Sequence, residues 1–179
     1  MRRAVALGFC ALAASGCGAT HRKAPSTPSK LARARATHEY PSPPPPPQTA
    51  AGATRTAAQA VRAFATAYIN WTAQTVAGDM ASLAARSVGQ ARSAMTLAAA
   101  QTADDYELRR GGIANHGTVE AVAQRRGHRN QYLVVTLEST SATNTTAYQG
   151  LKPAWHIALA TVTEQSPGQW IVSAWQPEG

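Results

Sequence analysis

The segment from Ala154 to Trp175, AWHIALATVTEQSPGQWIVSAW, holds two alternating runs joined by a short turn. Large apolar side chains occupy alternate positions in each run, and a period of two is typical of β-strands. Between the runs lie Ser166, Pro167 and Gly168, which are turn-forming residues. The stretch therefore predicts an antiparallel hairpin.

The same period of two begins after Gly117. It predicts four strands, at Thr118–Gln124, Gln131–Ser139, Ala154–Glu164 and Gln169–Trp175. The connection around Gly127 is short and rich in turn residues, whereas Ser141 to Pro153 is longer and polar. These features predict a four-stranded antiparallel meander.

Helical periodicity precedes the strands. In Ala57–Thr75 the apolar side chains recur every three or four residues, which predicts a first helix. We expect Gly78 to break it and Asp79 to cap a second helix. A third helix is predicted from about Gln90 to Arg110. The fold class is therefore α+β, with N-terminal helices packed on a curved four-stranded sheet.

Both faces of the last two strands carry apolar side chains. Trp155, Ile157 and Leu159 alternate with Ala158, Ala160 and Val162. When one face of a sheet is exposed to solvent, apolar and polar residues alternate along its strands. We therefore expect the sheet to curl around a pocket, or its second face to meet a partner.

The net charge of +8 is concentrated near the N-terminus. Residues 56–179 contain nine basic and eight acidic residues, a net charge of +1. A domain that neutralises a phosphate backbone needs a basic surface. The charge distribution therefore predicts that the domain does not bind nucleic acid.

Residues 1–16 have the pattern of an export signal: Arg2 and Arg3, then an apolar run from Ala4 to Ala14. The run is shorter than the roughly 20 residues of a membrane span but suits a secretory signal. The following Ser15-Gly16-Cys17 completes a segment that resembles the lipobox of bacterial lipoproteins. That resemblance implies cleavage before Cys17, acylation of its thiol (palmitate among the acyl groups) and attachment to the outer face of the cell membrane. An ordinary cleaved signal, with Cys17 as an incidental thiol, is the alternative.

Residues 17–55 have the composition of a disordered tether, rich in Ala, Pro, Ser and Thr. Six prolines between residues 41 and 47 favour extended polyproline II structure. The predicted organisation is a lipoprotein signal peptide at 1–16, the lipidated cysteine and tether at 17–55, and the α+β domain at 56–179.

The helices, followed by a curved sheet that closes with Trp155–Thr163 and Gly168–Pro177, resemble the cone-shaped nuclear transport factor 2-like fold. Within that fold the chain is similar to the extracytoplasmic domains of conjugative-transposon TcpC-type and related type IV secretion proteins. The resemblance is architectural and covers roughly residues 57–177. It implies a non-enzymatic domain that oligomerises or docks partners outside the membrane. An apparent lipid anchor in place of a transmembrane helix departs from those proteins.

Aromatic residues and one histidine are the candidates for a pocket or an interface, with core packing as the alternative role. These residues are Tyr68, Trp71, Tyr106, His156, Trp170 and Trp175. A basic turn supplies candidate anion contacts for wall phosphates or anionic lipid, and these are Arg125, Arg126 and Arg129. A charged hairpin tip without a ligand is the alternative there.

The sequence contains no phosphate loop, nucleophile elbow or paired metal ligands. We therefore predict no catalytic residue, no metal and no cofactor. Asp104, Asp105 and Glu107 are acidic, but adjacent helical residues point about 100° apart. We expect these three to lie on a solvated helix face.

These observations favour a membrane-anchored extracytoplasmic lipoprotein that acts as a protein-interaction module. Its expected partners are the bilayer, through acylated Cys17, and a second protein or a second copy. One alternative is a small-molecule-binding or enzymatic domain that uses the interior of the cone. Another is a binder of cell-wall polymers through the basic turn.

Overall fold

A computed structural model describes residues 46–178. The predicted signal peptide, Cys17 and the tether as far as residue 45 lie outside the described residues. The helices are α1 (Ala57–Ile69), α2 (Val76–Ala85), α3 (Gly89–Ala103) and α4 (Tyr106–Gly111). The strands are β1 (Trp71–Thr72), β2 (Ile113–Gln124), β3 (Gln131–Ala142), β4 (Ala154–Ser166) and β5 (Gln169–Glu178).

The α+β class is confirmed, with helices packed on a curled antiparallel sheet in the order β1-β2-β3-β4-β5. The sheet has five strands, so the predicted count of four is wrong. Three of the four helices follow β1, so the prediction that all of the helices precede the sheet is also wrong. A two-residue strand such as Trp71–Thr72 is too short to show a period of two.

The first helix ends earlier than predicted, at Ile69. The next residue, Asn70, donates from Nδ2 to the carbonyl oxygens of Thr66 (2.8 Å) and Gly117 (3.1 Å). Its Oδ1 accepts a hydrogen bond from the backbone N–H of Gly117 at 3.0 Å. Asn70 thereby closes α1 and joins it to β2. Gly78 lies inside α2 and does not break a helix.

The third predicted helix is two helices, because the chain breaks at Asp104 and Asp105. Asp105 caps α4, its Oδ1 accepting from the backbone N–H of Leu108 at 3.0 Å. This cap occupies one of the donors that a helix start leaves free. Asp104 and Glu107 are exposed, as expected for a solvated face, but the three acidic residues do not share one helix. Gly112 ends α4 in the left-handed conformation, with φ of 59°.

Residues 48–54 pack against the domain, although the sequence pattern placed them in the tether. The Gly89 N–H donates to Gln48 Oε1 at 2.7 Å, and Arg92 Nη2 donates to the Thr49 carbonyl at 2.6 Å. Thr54 exchanges two backbone hydrogen bonds with Trp170. Single residues that bond to distant elements leave no periodic signal.

The core lies between the helices and the concave face of the sheet. Its largest fully buried side chains include Val61 and Ile69 of α1, Val134 of β3 and Val162 of β4. Register shifts in β2 near Val119 and in β4 after Thr161 mark bulges, which bend a sheet. No helix within residues 46–178 combines the length and the apolar character of a membrane span.

Candidate functional site

An open cavity of about 490 Å³ lies on the concave side of the sheet. We call it the concave cavity. Its walls come from α1, β1, α2 and α3 on one side, and from β2, β3, β4 and the β3–β4 loop on the other. The space between the helices and the curled sheet is therefore not filled by side chains here.

Tyr68 and Trp71 line one side of the cavity, which we call the aromatic wall. The Tyr68 ring packs on Trp175 of β5, with centroids 5.3 Å apart, and stacks on Phe64 at 6.4 Å. Burial raises the pKa of the Tyr68 hydroxyl, and the nearby Glu138 carboxylate acts in the same direction. The Trp175 N–H near this hydroxyl opposes that shift, although Nε1 has no partner at hydrogen-bond geometry.

A polar network lies beside this aromatic wall and is centred on Glu138 of β3. Asn115 Nδ2 donates to Glu138 Oε2 at 2.8 Å, and Thr136 Oγ1 donates to Glu138 Oε1 at 2.6 Å. Asn115 is itself held, because Nδ2 also donates to the Ile69 carbonyl at 2.8 Å and Oδ1 accepts from Thr140 at 3.2 Å. The Glu138 carboxylate is therefore held in place by neutral donors.

Glu138 has no cationic partner among the described residues. The ion pairs within residues 46–178 are Arg109–Asp104 and Arg110–Glu107, both exposed and both outside the cavity. Lys152 and His156 line the cavity, but neither lies within 4.0 Å of a carboxylate oxygen. The half-buried Glu138 carboxylate consequently has no protein cation within ion-pair distance in the described part of the chain.

The structure brings three of the six predicted aromatic and histidine candidates to the cavity: Tyr68, Trp71 and His156. Trp175 lies behind Tyr68 and belongs to the core. Trp170 lies beside Thr54 and lines a separate cleft of about 70 Å³. Tyr106 is 67% exposed on α4, with the Arg110 guanidinium 6.0 Å from its ring. Trp170 and Tyr106 therefore do not belong to this site.

The basic turn between β2 and β3 is exposed and separate from the cavity. Arg125 Nη1 donates to the Gln131 side chain at 2.8 Å, and the Arg129 carbonyl accepts from Gln124 at 2.6 Å. Arg126 forms no side-chain hydrogen bond with the described residues. These contacts close the hairpin. They do not bring a further ligand-binding side chain next to the three guanidinium groups. Within residues 46–178, moreover, no three His, Cys, Asp or Glu side chains come together as a metal site.

Sequence reasoning missed Glu138 and Asn115. One signal was present, because Tyr132, Val134, Thr136 and Glu138 share one phase of a period-two strand. A carboxylate in the apolar phase of a strand needs polar partners or a ligand. Asn115 carried no comparable signal, because it precedes the predicted start of its strand.

The convex face of the sheet carries three apolar cross-strand pairs. They are Leu133–Leu159, Val135–Ile157 and Leu137–Trp155, which we call the convex ladder. Trp155 is 63% exposed, Ile157 48% and Leu133 43%. The remaining three side chains are partly exposed, and no helix covers this face in the described part of the chain. The chain thus presents an apolar surface opposite the cavity.

No family model matches this chain, and neither the curated proteins nor the solved structures contain a significant match.

Proposed function

We propose that this chain is a lipid-anchored extracytoplasmic lipoprotein whose domain acts as a non-enzymatic protein-interaction module. The observation that carries the proposal is the convex ladder, three neighbouring apolar pairs that the domain leaves in water. Contiguous exposed apolar patches are uncommon on monomeric soluble proteins and mark interaction sites.

The composition of the ladder defines the partner. Its six side chains are apolar and uncharged, so a partner with a charged surface would form no ion pairs with them. Covering a leucine or isoleucine side chain contributes about 1.5–3 kcal/mol when burial is complete. Trp155 adds a large flat anchor, and tryptophan is enriched among residues that dominate binding energy. We infer a protein partner with an apolar surface of its own.

The location rests on the N-terminal pattern of residues 1–17. A lipid on Cys17 would hold the chain at the membrane. The resemblance to extracytoplasmic secretion domains favours a role in conjugative transfer or envelope assembly.

Crosslinking in isolated membranes tests the interaction. A Leu133→Ser/Ile157→Thr variant of the full chain is expected to lose a crosslinked partner that the wild type retains. Leu97→Ser is the matched control, since Leu97 is 58% exposed on α3, away from the sheet face. Recovery of only the protein itself and lipid, or equal losses in both variants, would contradict the proposal. Capture by protein-free vesicles that depends on Ile157 would indicate a membrane-contacting face instead.

Mass spectrometry of the mature N-terminus tests the anchor separately. We expect a chain that begins at Cys17 with an acylated thiol, and a Cys17→Ser variant that is released from membranes. A native chain with Met1 and both thiols intact would refute both the anchor and the location.

A further inference from the structure

We propose that the concave cavity binds a small primary amine on an apolar body, with the ammonium group against Glu138. The inference does not depend on the convex ladder, because the cavity lies on the opposite face of the sheet. It assigns a ligand class to a surface that the proposed protein interaction leaves unused.

The carboxylate supplies the first argument. An ionised carboxylate has about four acceptor positions. Two in Glu138 are occupied, by Asn115 and Thr136. Both partners are neutral, so neither of them forms an ion pair with the carboxylate. A half-buried carboxylate without a cation gains most from a ligand that brings both a positive charge and N–H donors.

The walls supply the second argument. Tyr68 and Trp71 present aromatic rings to the cavity, and Val76, Met80 and Leu151 add apolar surface. An ammonium group is attracted to aromatic rings, and the apolar surface suits the body of an amphiphilic amine. The volume of about 490 Å³ is within the range of small-molecule sites.

The other titratable residues that line the cavity restrict the class of ligand further. Lys152 and His156 are exposed, whereas Glu138 is half-buried. A second cationic group on the ligand would meet the Lys152 ammonium. A carboxylate there would be tolerated, which keeps amino acids in the ligand class with simple amines.

Three probes with the same phenyl body separate these charges: phenethylamine, phenylalanine and 3-phenylpropionate. Calorimetric titration of the full-length protein is expected to show saturable millimolar or tighter binding of phenethylamine and phenylalanine. Binding of 3-phenylpropionate is expected to be at least about 10-fold weaker, because it brings no ammonium group to Glu138. Equal affinities for the amine and the acid, or no saturation by either amine, would overturn the proposal.

The carboxylate itself is tested by Glu138→Gln, which keeps the size of the side chain and removes the charge. We expect phenethylamine affinity to fall about 10-fold or more. Glu120→Gln is the matched control, since Glu120 is an exposed carboxylate of β2 that does not line the cavity. An unchanged affinity in Glu138→Gln, or an equal loss in Glu120→Gln, would refute the role of the carboxylate. If Glu138→Gln does not fold, the three-probe titration of the wild type decides alone.

Discussion

The two faces of the sheet both carry apolar side chains, but they differ in burial and in polar groups. On β4, the concave phase carries Ala158, Ala160 and Val162, and the convex phase carries Trp155 and Ile157. The larger apolar side chains are on the exposed face, and the smaller ones are buried under the helices. The concave face also carries a carboxylate and its polar partners, which the convex ladder lacks. Side-chain size thus does not identify the buried face of β4, because burial depends on which face the helices cover.

Two tryptophans on neighbouring strands provide the largest test of this difference. Trp175 is 4% exposed and packs on Phe64 and Tyr68, whereas Trp155 is 63% exposed. Trp175→Ala is expected to lower the free energy of unfolding by about 3–5 kcal/mol, because it leaves a cavity in the core. Trp155→Ala is expected to cost less than about 1 kcal/mol. Urea unfolding of both variants measures the difference, and equal losses would show that the convex face is covered.

The polar network of the concave face provides the second test. Asn115 is 7% exposed, and its side chain bonds to the Ile69 carbonyl, Glu138 and Thr140. Asn115→Ala is expected to cost about 2–3 kcal/mol, because buried acceptors lose their donor.

Thr140→Val is the control for the network, since it removes only the longer hydrogen bond to Asn115 Oδ1. Its expected cost is about 1 kcal/mol. Urea unfolding again measures both values. If the two variants are equally stable, Asn115 does not organise the network.

The smallest expected effect is a pH dependence that arises at Tyr68. Burial raises its folded-state pKa above the ordinary value of 10.0, so the unfolded chain releases this proton at a lower pH. The resulting stabilisation is complete below pH 10.0 and is lost as the pH rises through the folded-state pKa. Tyr68→Phe is therefore expected to decline less steeply in unfolding free energy above pH 10.0 than the wild type. Urea titrations on both sides of this pH check the slope, and equally steep profiles would exclude Tyr68 as the source.

Much of the fold could be predicted from local patterns, and the failures have local causes. The final hairpin followed from the alternation in Ala154–Trp175 and the turn at Gly168. The predicted helix ends were wrong where a side chain bonds to a residue far away in the sequence. Asn70, which bonds to Gly117, is the example. Of the site, Tyr68, Trp71 and His156 were predicted, because aromatic residues and histidine suggest pockets by their chemistry alone. Glu138 and Asn115 were not, since their hydrogen bond joins positions 23 residues apart.

The hairpins, the strand phases and the near-neutral charge of the domain could be read from the amino-acid sequence, because these depend on neighbouring residues and composition. The sequence also contains the N-terminal pattern on which the proposed anchor rests, Arg2 and Arg3 followed by an apolar run and Cys17. The three-dimensional packing was needed to establish which phase of each strand is covered and which carboxylate lies in the cavity. Burial and hydrogen-bond partners depend on which elements pack together. Alternation within one strand is the same whichever face the helices cover.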